Sequence, residues 1–190
     1  MYYYLKYIYY FSALQYIYTS YSTHKYCPFK FIAQLSFWIC LGWAYYFSSG
    51  RYSTRHRNDL LFTLILLQFT VTAGKLYEIL FILKNKKNTI DLIKTSLKNS
   101  YLYIYSFVVH FVGLFVAIYL MRNNLKQVNS NNILHTCIVS ILYFITFIVY
   151  QKINKNCYPE SAFHLNNLNN MISLLIFTIL IGCYIYITYE

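Results

Sequence analysis

Asn131-Asn132-Ile133-Leu134-His135-Thr136-Cys137-Ile138-Val139-Ser140-Ile141-Leu142-Tyr143-Phe144-Ile145-Thr146-Phe147-Ile148-Val149-Tyr150, then a polar turn and Cys157-Tyr158-Pro159-Glu160, is the stretch on which the fold turns. A run this long and this apolar crosses a bilayer as a helix, because hydrocarbon offers no hydrogen-bond partner to an open backbone. His135 and Thr136 stand at its threshold. An ionisable ring and a hydroxyl are costly there and mark a candidate functional site. The plainer reading is that His135 anchors the helix at headgroup depth.

Working outward, runs of similar character recur over about 31–48, 60–83, 101–121, 133–150 and 171–189. The chain is 58% hydrophobic and 11% charged, less than half the ~25% charged residues of soluble domains. These features predict an all-α fold, a polytopic helical membrane bundle of five to six transmembrane helices forming a single domain over residues 1–190. Residues 1–20 carry Lys6, Ser12 and Gln15 and lack the pattern of a cleaved signal. They either insert as a sixth span or lie in the interface. Ile90, Leu92, Ile93 and Leu97, set against Asp91, Lys94 and Lys98, predict a short amphipathic surface helix over 88–100.

The net charge of +11 sits between the apolar runs, where Lys and Arg set topology and touch anionic headgroups. With no soluble domain to present a groove, nucleic acid is excluded as a partner, and membrane lipids are the expected one. Lys25, Lys30, Lys84, Lys86, Lys87, Lys94, Lys98, Lys152 and Lys155 fall on one side. They outnumber Arg51, Arg55, Arg57, Arg122 and Lys126 on the other, so the first side is predicted cytosolic. The five cysteines are scattered with no close pair, which supports neither a disulfide framework nor a zinc site. No metal or organic cofactor is implied.

Topology sorts the buried polar residues by depth. Thr63 and His135 each lie about one turn, ~5 Å, inside spans that begin on the non-cytosolic side. A hydroxyl and an imidazole at one depth are the minimum for nucleophilic acyl transfer, since the hydroxyl needs a base to take its proton. Thr136, Thr54 and His110 are further candidates. Thr in such helices commonly bonds back to the carbonyl four residues earlier, and His110 reads equally as a helix–helix hydrogen-bonding group. Lys75 and Glu78 share a helical face and read as a snorkelling ion pair, or, with His110, as a proton or ion pathway.

The block 131–136, an apolar helix and Tyr158-Pro159-Glu160-Ser161, with Leu64-Ile65-Leu66-Leu67-Gln68 and Leu120-Met121-Arg122 upstream, resembles the androgen-induced and androgen-dependent TFPI-regulating protein family. The likeness covers roughly 59–186. It implies a multi-spanning membrane hydrolase of fatty acid esters of hydroxy fatty acids, working with a threonine nucleophile and a histidine. The resemblance carries the histidine to His135 and, after a two-residue shift, the threonine to Thr63; an ungapped count from Gln68 lands on Leu61, and Asn132 replaces the motif's first His.

The expectation is therefore a lipid ester hydrolase of the endoplasmic reticulum or another internal membrane, with a long-chain fatty ester as substrate. A non-catalytic membrane scaffold is the alternative, and a small transporter using Glu78 and His110 is the third reading. The sequence sets no oligomeric state.

Overall fold

The computed structural model describes residues 2–23, 34–49, 54–85, 108–154 and 168–190. Its elements are α1 (Tyr2–Thr23), α2 (Leu35–Ser48), α3 (Thr54–Asn85), a π-turn (Val108–Val112) running into α4 (Gly113–Asn124), α5 (Ser130–Ile153) and α6 (Leu168–Tyr189). All regular structure among the described residues is helical, as expected. Within α3 the segment His56–Phe81 is long and apolar enough to cross a membrane, as are α5 and α6. The chain is an integral membrane protein. The expected surface helix over 88–100, Cys27, Cys157, the Tyr158-Pro159 element and most of the inter-span lysines lie outside the described residues.

α3 is the axis of the bundle and packs against α2, α4, α5 and α6. Its middle is buried all round, with Leu61, Phe62, Leu64, Ile65, Leu66, Leu67 and Val71 inside. A helix apolar on every face is buried in protein or in lipid, and here the neighbouring helices cover the middle of α3. α1, left open by sequence between interface and span, is a helix laid along α2. Tyr9 is buried there and stacks on Trp43 and Phe47 at 6.2 and 6.0 Å.

Polar contacts set the register between helices. Gln68 is fully buried; its Oε1 accepts from Trp43 Nε1 of α2 at 3.0 Å, and its Nε2 donates to the Val109 carbonyl at 3.0 Å. Thr72 Oγ1 donates to the His110 carbonyl at 2.7 Å. The sequence predicts an unbroken α-helix through 101–121, whereas 108–112 forms a π-turn. The departure has a local cause, because carbonyls released from the α-pattern need donors in hydrocarbon, and α3 supplies them. Gly113 follows directly: a Cβ there would fall 2.7 Å from Gln68 Oε1, so only glycine admits the amide. Gly42 of α2 allows the same close approach to Leu64.

At the other end of the bundle, Asn58 grips the 125–129 connection. Its Nδ2 donates to the Gln127 carbonyl at 3.0 Å and its Oδ1 accepts from Lys126 N at 2.8 Å. α5 then opens with a reciprocal capping box, Asn129 Oδ1 accepting from Asn132 N and Asn132 Oδ1 from Asn129 N. Asn132 Nδ2 also donates to Asp59 of α3. From this fixed start α5 turns Asn132, Thr136, Ser140, Phe147 and Gln151 inward.

Gly113→Ala is expected to destabilise the protein by about 1–3 kcal/mol through overpacking. The loss should shrink in a Gln68→Ala background, because the clash partner is gone. Unfolding in mixed micelles, read for both single variants and the double, checks this; strict additivity would refute it.

Candidate functional site

The expected Thr63–His135 contact is not formed. α3 and α5 are neighbours, as that pairing required, but Thr63 Oγ1 meets Thr136 Oγ1, at 3.1 Å. Successive residues on a helix are rotated by ~100°, so seating Thr136 inward turns His135 outward. His135 is exposed and, among the described residues, makes no hydrogen bond with Thr63. Thr63 donates to the Asp59 carbonyl at 3.0 Å, and Thr136 to the Asn132 carbonyl at 2.9 Å. A hydroxyl carries one proton, so one of the two is shared between its backbone carbonyl and the facing threonine, and the pair is a helix–helix fastening rather than a nucleophile waiting for a base. Thr54 is the first residue of α3, and its side chain lies outside the described residues.

A hydroxyl and an imidazole do meet elsewhere. Ser36 Oγ and His110 Nε2 lie 3.4 Å apart, both buried. This is longer than a tight hydrogen bond and within the range of a loose nucleophile–base contact before substrate binds. Each partner is held from its backbone. Ser36 is the second residue of α2, at the positive end of the helix dipole, and the next N–H, that of Phe37, donates to the Gln34 carbonyl at 3.0 Å. The Leu35 N–H donates to the Tyr143 hydroxyl of α5 at 3.1 Å. His110 sits in the π-turn that Gln68 and Thr72 hold. Tyr16 of α1 stands beside Ser36. The Val71 carbonyl lies close to the His110 ring, yet Nδ1 makes no well-formed hydrogen bond among the described residues.

Lys75 and Glu78 lie near this pair and act electrostatically on His110 and Tyr16 respectively. Lys75 Nζ meets Glu78 Oε2 at 2.9 Å, and both side chains are 30% exposed. They form the snorkelling pair that their spacing predicted. Glu78 is thus committed to a partner on its own helix, and the ion-pathway reading draws no support from it.

Sequence reasoning identified His110 and missed Ser36. The signal was present: Ser36 is one of three polar residues in the apolar run 31–48, with Gln34 and Ser48, and that run and the span carrying His110 both start from the predicted cytosolic side. Sorting those two spans by depth, as was done for Thr63 and His135, brings Ser36 and His110 to one leaflet. Comparison of the chain with protein-family models, with curated proteins and with solved structures finds no match.

His135→Ala should leave stability within about 0.5 kcal/mol of wild type, as for other exposed positions. Thr136→Val should cost about 0.5–1.5 kcal/mol through its contact with Thr63. Micellar unfolding of the two variants checks the order, and a larger loss for His135→Ala would contradict the assignment of faces.

Proposed function

We propose that this protein hydrolyses a lipid ester inside the membrane, with Ser36 as nucleophile and His110 as general base. The observation that carries the reading is the buried 3.4 Å approach of Ser36 Oγ to His110 Nε2 at the start of α2. Ser36 Oγ attacks the acyl carbon while its proton passes to Nε2. The bond to the alcohol oxygen breaks, and the alcohol leaves with that proton. Water then attacks the acyl-serine ester, His110 again taking and returning a proton, and the fatty acid is released. The positive end of the α2 dipole lies beside Ser36 and favours negative charge developing on the acyl carbonyl oxygen. Burial of the pair supports the reading, because electrostatic help is worth more where water is excluded.

The resemblance to the androgen-induced family points to the same reaction class, and long-chain branched fatty esters are the substrates we assign. Here a serine on α2 stands in the role the resemblance gave to Thr63, and His110 in that given to His135. The membrane we assign is the endoplasmic reticulum or another internal membrane, which imaging of a fluorescent fusion tests.

Protein in lipid nanodiscs, given a branched fatty ester, is expected to release fatty acid. Ser36→Ala and His110→Gln should each lower the rate by about 10²-fold or more, while His135→Ala and Thr63→Val retain it. A fluorophosphonate probe should label Ser36 in wild type and fail to do so in His110→Gln. Equal rates for wild type and Ser36→Ala would refute the assignment, and absence of turnover in wild type would favour a non-catalytic scaffold.

A further inference from the structure

The opposite side of α3 carries a second feature that the hydrolase reading does not use. A cavity of about 140 Å³ lies between α3, α5 and α6, lined among others by Phe62, Leu66, Ser140, Ile141, Ile179 and Cys183. Among the described residues, these are the three helices long and apolar enough to cross the membrane. Leu66 faces the cavity while Gln68 faces Trp43 and the π-turn. Two residues turn a helix by ~200°, so the cavity and the Ser36–His110 pair are on different faces.

Three observations indicate what fills it. Its rim is continuous with the lipid-facing surface: Ile141 and Ile179 line it and are 51% and 48% exposed. Its wall presents almost no polar surface, because the threonines there are already bonded, Thr136 to the Asn132 carbonyl and Thr178 to the Leu174 carbonyl and Thr70. Ser140 is 5% exposed, and its Oγ finds no partner among the described residues. That oxygen is itself covered, so it too offers an occupant no polar surface. A space of this size accepts about one benzene-sized hydrocarbon, which corresponds to the terminal few carbons of an acyl chain.

We infer that this groove is a binding site for a single acyl chain of a bilayer phospholipid, the surface with which its rim is continuous. The site does not depend on the Ser36–His110 assignment and is tested without any turnover. Purified protein in nanodiscs is irradiated with a free fatty acid carrying a diazirine near its methyl end or, in a second arm, with a phosphatidylcholine carrying the same chain. Adducts are mapped by mass spectrometry. Labelling by the phosphatidylcholine should concentrate on Ile141, Ile179 and Cys183, saturate, and be competed by unlabelled phosphatidylcholine; stronger saturable labelling there by the free fatty acid would overturn the phospholipid assignment. Ser140→Leu and Cys137→Phe fill the groove from two positions, and each should lower saturable labelling about tenfold, equivalent to about 1.4 kcal/mol. Leu134 and Ile187, exposed away from the groove, report ordinary lipid contact. Groove labelling no stronger than theirs, insensitive to competitor, or unchanged in both folded variants would overturn the site.

Discussion

A single side-chain amide, that of Gln68, holds the centre of this bundle together. Buried among hydrocarbon-facing helices, it must spend its donors and acceptor on protein, since each bond left open there is expensive. It does so by reaching to Trp43 on one side and to the Val109 carbonyl on the other. Both contacts require close approach, which Gly113 permits by having no Cβ. The π-turn at 108–112 is the backbone's side of the same arrangement, with Thr72 taking the next carbonyl. Because α2 and α4 are both registered against α3 in this way, Ser36 and His110 are brought to one depth and one face. The site is a consequence of the helix packing.

The two halves of the bundle are held differently. α1, α2, α3 and α4 share a continuous apolar core, which α6 joins through Ile185, with stacked aromatic rings around Trp43. α5 is mostly exposed, and polar contacts tie it in at separate points: Asn132 to Asp59, Thr136 to Thr63, and Tyr143 to the Leu35 N–H. Thr70 and Thr178 join α6 to α3 at 2.9 Å. Hydroxyl pairs of this kind contribute modestly in a membrane, on the order of ~0.6 kcal/mol each. They fix orientation without filling space, and the groove among α3, α5 and α6 is the space left over.

Much of this was legible without coordinates. The spacing of Lys75 and Glu78 gave their ion pair, the apolar runs gave the helices, and topology gave Thr63 and His135 a common depth, while the adjacency of their helices, which the pairing required, came from the structure. The Thr63–His135 contact failed for a reason that depth cannot see: at the start of a helix, two adjacent residues share a depth and differ by ~100° in azimuth. The capping box and the Asp59–Asn132 contact spend that freedom on Asn132 and Thr136, and His135 is carried round to the lipid. Ser36 was passed over because a lone serine in an apolar run reads as a tolerated small residue until its neighbour across the bundle is known.

Composition and periodicity by themselves determined that this chain is an all-helical membrane protein, and roughly where its helices run, because the demand that every backbone group be bonded in hydrocarbon acts along the chain. Only the tertiary structure decided which face of each helix turns inward. That choice depends on long-range contacts, Gln68 with Trp43 and Val109, Asn58 and Asp59 with the start of α5, whose partners lie far apart in sequence and have no local signature.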